Sequence, residues 1–256
     1  MLFDVSIGIL LPFFGTTVGS AAVFFSKRQS GVQGRGLIEG FSAGVMAAAS
    51  IWSLLIPSME LAENKGIPPA IPAAVGFLLG IVFFIFCDKL LSGEAAEHIS
   101  GLRRMLGDSS LSALAVAIHN LPEGMAVGAI YAEILSREGG ASLSSAMALS
   151  IGITVQNLPE GAVISLPALA SGRGRFRAFL LGAASGAVEP MGAILTVLAA
   201  GVAIPLLPYL LGFAAGAMMY AVLEEFTSRE KTDKTPLWVL SFSAGFLLMM
   251  SLDVLL

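Results

Sequence analysis

Two stretches carry the chemistry. "AIHNLPEGMAVG" sets a histidine, an amide and a carboxylate inside an apolar run, and 37 residues later "TVQNLPEGAVIS" repeats the arrangement. His119 and Glu123 are four residues apart and share a helix face, and Asn120, three before Glu123, lies on the same side. Gln156 and Glu160 repeat the first relation, and Asn157 and Glu160 the second. A third carboxylate, Glu189 in "SGAVEPMGAIL", sits in equally apolar surroundings. Each of the three adjoins a proline. Proline cannot donate to the carbonyl four residues back, so Pro122, Pro159 and Pro190 free the carbonyls of Ile118, Val155 and Gly186. An ionisable side chain at membrane depth costs ~2.5 kcal/mol or more. A protonated carboxyl bonded to a neighbouring helix would explain one such residue, but not a duplicated N-L-P-E-G. Three carboxylates, an imidazole and several amide oxygens suit a divalent cation, and the mixed O/N set fits Zn²⁺ and its first-row neighbours better than Ca²⁺ or K⁺. An anion site would show Arg or Lys, and the apolar runs have none near their centres.

Elements that position such a set must be membrane helices. Hydrophobic residues make up 56% of the 256 and charged residues 12%, where a soluble domain carries about 25% charged. Mean hydropathy is +0.86. The net charge of -4 is small, and no basic stripe with interleaved aromatics supports nucleic-acid binding. The single cysteine, Cys87, excludes an intrachain disulfide or a thiolate cluster and reads as a small buried apolar residue. The first apolar run lacks a basic leader and is followed by Lys27 and Arg28, which suits a retained span rather than a cleaved signal.

A bilayer core needs roughly 20 apolar residues per helix. Eight runs meet that expectation, at about 5–26, 37–58, 69–91, 111–135, 143–170, 178–200, 204–226 and 236–255, with a cytosolic loop at about 92–110. With the N-terminus outside, only Lys65 and Arg137 of the 14 Lys and Arg fall in outer loops, so the positive-inside rule predicts both termini outside. "GFSAGVMAAA" at Gly40 resembles "GFAAGAMMYA" at Gly212, "GFLL" recurs at Gly76 and Gly245, and "GTTVG" at Gly15 echoes "GAASG" at Gly182. The offsets are nearly constant and relate spans crossing in opposite senses. The expected fold is therefore an all-α integral membrane protein of eight transmembrane helices in a 3+2+3 arrangement, spans 1–3 repeated inverted as spans 6–8. Spans 4 and 5 between the halves carry the duplicated motif, and inverted repeats around a midplane site are a transporter architecture. Small-xxx-small pairs such as Gly15/Gly19 and Gly40/Gly44 indicate close helix packing.

The motif of His119, Asn120, Pro122, Glu123 and Gly124 resembles the H-N-x-P-E-G signature of the ZIP family of divalent metal transporters, and the Gly-rich spans 2 and 7 resemble its bacterial GufA-like branch. That resemblance implies a binuclear metal centre with His119, Asn120, Glu123, Gln156, Asn157, Glu160 and Glu189 as ligands, Glu123 and Glu160 bridging. It implies further that Met46 approaches the metal and that Ser53, seven residues on, lines the entrance. It implies that spans 1, 4, 5 and 6 move as a block against 2, 3, 7 and 8, usually within a homodimer. Gln156 and Asn157 depart from the His and Asp of other members, which leaves fewer ionisable ligands for a metal pair. "EAAEH" (Glu94, Glu97, His98) reads as a loose metal stop or an ordinary solvated turn, and Glu224 and Glu225 as an exit lining or a plain interfacial pair.

The expected function is movement of Zn²⁺ into the cytosol through a multi-pass protein of the cell membrane. Cd²⁺, Fe²⁺, Mn²⁺ and Co²⁺ are related substrates; no prosthetic group and no nucleic-acid partner are expected. Metal must displace protons from its ligands, so uptake should weaken in acid. The alternatives are a channel or proton-coupled carrier for another cation, and an intramembrane metalloenzyme. The latter lacks H-E-x-x-H and G-x-S-x-G.

Overall fold

The protein is described by a computed structural model covering residues 1–26, 32–92, 108–136, 142–228 and 236–255. Every element among these residues is helical. The reason is the composition: long apolar stretches satisfy their backbone polar groups internally when helical, whatever surrounds them.

In chain order, α1 (Leu2–Ser20) continues through the short α2 (Ala22–Phe25). Then α3 (Val32–Ala49) passes through a π-helical turn (Ser50–Leu55) into α4 (Ile56–Asn64). The widened turn has a local cause. Pro57 cannot donate to the carbonyl of Ser53, and the Ile56 amide reaches back five residues to Ile51. After α5 (Ala70–Ser92) come the two motif helices, α6 (Asp108–Ser136) and α7 (Leu143–Ala170). A serine capping box formed by Ser142 and Ser145 starts α7. Next, α8 (Arg175–Gly186) and α9 (Val188–Leu198) form one rod interrupted at Ala187, and α10 (Ala200–Ser228) and α11 (Pro236–Leu255) complete the bundle.

Among the described residues, six stretches are long and apolar enough to cross a membrane: Leu2–Phe25, Gly36–Asn64, Ala70–Cys87, Arg175–Leu198, Ala200–Glu224 and Pro236–Leu255. The molecule is an all-α membrane protein. Two long helices lie outside that set: α7, whose polar motif residues dilute its apolar character, and α6, many of whose N-terminal side chains lie outside the described residues. At 29 and 28 residues they run about 42 Å at 1.5 Å per residue, more than a hydrocarbon core of about 30 Å. Outward-facing apolar side chains cluster on α5, α9 and α11, for example Leu78, Phe86, Leu195 and Leu240, whereas α6 and α7 occupy the middle.

Packing divides the helices into two groups. One holds α1, α2, α6, α7, α8 and α9, with α1 against α7 and α9 against α6 as its main contacts. The other holds α3, α4, α5, α10 and α11, with α5 against α10 and α3 against α11. Glycine makes these contacts. A Cβ on Gly19 would lie 1.8 Å from the Leu158 carbonyl, and one on Gly124 2.2 Å from that of Glu189. In the second group, a Cβ on Gly44 would lie 2.0 Å from the Phe242 carbonyl oxygen and one on Gly80 2.2 Å from that of Phe213. Between the groups the main contacts are α6 with α10 and α3 with α7. There a Cβ on Gly152 would meet side-chain ends instead, Met249 Cε at 3.1 Å and Ser53 Oγ at 3.3 Å. An apolar crevice of about 880 Å³, lined by residues including Val18, Phe41, Leu158 and Leu240, opens along the same seam.

Candidate metal centre

The helices α6 and α7 continue through Pro122 and Pro159, so each motif stays on one helical face. Pro190 acts more strongly. With no donor for the Gly186 carbonyl the rod breaks one residue later, and Ala187 closes a tight turn onto Ala184 at 3.2 Å. Glu189 consequently sits in the first turn of α9, where free backbone N–H groups favour negative charge.

The three elements converge. Asn120, Glu123, Gln156, Asn157, Glu160 and Glu189 are all at most 6% exposed. Glu160 lies within the electrostatic reach of both Glu123 and Glu189, and Gln156 lies beside Glu123. Their hydrogen bonds are unevenly shared. Glu189 Oε1 accepts from Asn120 Nδ2 at 2.9 Å and from Thr16 Oγ1 at 3.1 Å. Its Oε2 accepts from Asn157 Nδ2 at 2.8 Å, and the same amide donates to the Pro12 carbonyl at 3.2 Å. Gln156 turns its Nε2 toward Met218 Sδ at 4.0 Å. Seven oxygens are left buried without any partner: Asn120 Oδ1, both of Glu123, Gln156 Oε1, Asn157 Oδ1 and both of Glu160.

A buried acceptor left unpaired costs about 1–3 kcal/mol, and more when charged. Seven together would be prohibitive unless the site's function supplies the compensation. With Glu123 and Glu160 ionised all seven are acceptors, a set that a bound cation could satisfy. Carboxylate plus amide oxygens is also a chemically sound donor set for a hard or borderline divalent ion.

The backbone of His119 lies in α6, one residue before Asn120, and its side chain is outside the described residues. The loop residues Glu94, Glu97 and His98 and the side chain of Glu225 are outside them too, while Glu224 lies exposed near the end of α10. Met46 is half-buried, with its sulfur facing Ser42 Oγ at 3.9 Å. Ser53, in the π turn, donates to Asp253 Oδ1 at 2.7 Å. Both therefore have described partners away from the motif residues. Through Gly152, however, the Ser53–Asp253 pair reaches α7 one turn before Gln156.

Sequence reasoning passed over four residues here. Thr16 and Met218 looked like ordinary span residues, and only their partners mark them. Asp253 Oδ2 and Glu133 Oε2 are buried without partners. Their signal was available, since each is a carboxylate in an apolar run, but neither has a motif around it.

Residues 94–250, which hold both motif copies and Glu189, match the family model described as ZIP Zinc transporter. The chain belongs to the ZIP family. It is 34% identical to the zinc transporter ZIP11 of Xenopus tropicalis, over 97% of this chain and 96% of that one. It is 33% identical to the zinc transporter GufA of Myxococcus xanthus, over 84% of each. A third ZIP relative, the zinc transporter ZIPB of Bordetella bronchiseptica, is 33% identical over 95% of this chain and 78% of its own length.

Proposed function

We propose that this ZIP protein carries Zn²⁺ across the cell membrane into the cytosol, with Cd²⁺, Fe²⁺, Mn²⁺ and Co²⁺ as related substrates. The observation that carries the reading is the set of seven buried, unpartnered oxygens on a duplicated motif. Glu123 and Glu160 neutralise the ion, and the amide oxygens of Asn120, Gln156 and Asn157, with His119 beside them, replace its water. Glu189 belongs to the same centre. Ser53 and Asp253 form the outer station, a carboxylate that attracts a hydrated cation before it reaches the motif, and Met46 is a further ligand to the ion. The relatives are named as transporters, so the metalloenzyme alternative is set aside.

The accompanying architecture is eight spans in a 3+2+3 order, both termini outside, with spans 1–3 repeated inverted as 6–8. The packing supports it: exchanging the first span for the sixth, second for seventh, third for eighth and fourth for fifth turns the α1–α7 contact into α8/α9–α6, and α5–α10 into α11–α3. Close backbone packing within each helix group and looser contact between them favours movement of one group against the other, in a homodimer.

Reconstitution tests this. Liposomes carrying the protein should take up radiolabelled zinc saturably, and Glu123→Ala or Glu160→Ala should reduce that uptake at least a hundredfold while the variants still elute as folded protein. Normal rates in both variants would refute the site. Non-saturating flux would favour the channel alternative.

A further inference from the structure

We infer that the centre takes one divalent ion at a time, and that Glu189 is a positioning residue that aims Asn120 and Asn157 rather than a ligand. This deepens the proposed function and rests on it. The argument starts at the two oxygens of Glu189. Oε1 receives the Asn120 amide and the Thr16 hydroxyl, which uses both of its lone pairs. Oε2 receives the Asn157 amide.

Asn157 is locked by the same contacts. Its Nδ2 has two hydrogens, and one goes to Glu189 and the other to the Pro12 carbonyl. Turning the amide over would set Oδ1 against a carboxylate oxygen and a carbonyl oxygen at once. The oxygen and nitrogen of a planar amide point to opposite sides. With both nitrogens held on Glu189, the oxygens of Asn120 and Asn157 face away from it, and both are unpartnered. An ion bound by those oxygens with Glu123 and Glu160 therefore lies across the amides from Glu189. A second ion at Glu189 would meet two N–H groups and an O–H group, which already supply the positive end of the interaction.

Thr16 completes the device. It is fully buried, and a Cβ on Gly186 would stand 2.7 Å from its hydroxyl oxygen, so a glycine there admits Thr16 beside Glu189. Residue 157 then sets the ion count. An aspartate in its place would bring no N–H, would face Glu189 with like charge, and would require a further cation to separate the two.

The test is metal stoichiometry of the full-length protein in detergent, with Cd²⁺ as probe, by equilibrium dialysis and X-ray absorption. Wild type is expected to bind one ion per chain, without the metal–metal scattering at about 3.5–4 Å of a paired site. Glu189→Gln should also bind one ion, with affinity weakened about tenfold as the amides lose their anchor. Asn157→Asp should bind two. Two ions on the wild-type chain, or loss of an ion in Glu189→Gln, overturns the inference and leaves the transport reading standing. No bound Cd²⁺ in wild type overturns the transport site itself. The wild-type count decides the matter even where a variant fails to fold.

Discussion

Buried carboxylates in this protein divide by what they face. Glu189 accepts three hydrogen bonds, Glu123 has the Gln156 amide beside it, Glu160 has no described donor, and Asp253 accepts from a single serine hydroxyl. The differences predict different kinetic consequences. Asp253→Asn should raise the KM for zinc several-fold, about 1 kcal/mol of lost capture, with the maximal rate unchanged, because capture at the outer station is binding that the translocating state does not share. A fall in maximal rate with unchanged KM would place Asp253 in the translocation step instead. Protons compete with metal for Glu123 and Glu160, since only the ionised carboxylate is a ligand. Lowering pH should therefore raise the apparent KM for zinc in liposomes. Uptake that is flat from neutral to mildly acid pH would mean that no proton leaves on binding.

Helices here are shaped by prolines and joined by glycines, and each device makes its own prediction. Pro57 opens the π turn that holds Ser53. Pro57→Ala restores an amide able to bond the Ser53 carbonyl, so the turn should tighten to α-helix, rotate Ser53 off Asp253 and raise the KM as Asp253→Asn does. A structure of the variant with the π turn intact would refute that cause. Gly19 and Gly44 are places where a backbone crosses a backbone. A side chain at Gly19 would enter space held by the Leu158 carbonyl, so Gly19→Val should cost about 1–3 kcal/mol and lower the unfolding temperature in detergent. Gly201 has open space around it, and Gly201→Ala should leave that temperature unchanged or raised.

At the scale of the whole molecule, close glycine packing stays within each of two helix groups, while the seam between them carries side-chain ends, the crevice and the metal centre's edge. The seam is where relative motion is cheapest, because side-chain contacts can be exchanged and interlocked backbones cannot. In a Cys87→Ala background, joining the groups through Gly152→Cys and Ser53→Cys should stop uptake on oxidation and restore it on reduction. Undiminished uptake by the cross-linked protein would mean that transport needs no movement along this seam.

Much was legible before any coordinates. The helical membrane class followed from 56% hydrophobic and 12% charged residues, because so apolar a chain must satisfy its own backbone. The family followed from N-L-P-E-G twice, because carboxylates at fixed spacing in apolar runs have few other uses. Tertiary structure alone decided which way each polar group faces. Nothing in the spacing of Asn120, Asn157 and Glu189 says that the amide nitrogens turn to one carboxylate, or that Thr16 and the Pro12 carbonyl from α1 complete the arrangement. Hydrogen-bond direction is set by partners 32 to 173 residues away in sequence, and only folding brings them within 3 Å or so of one another.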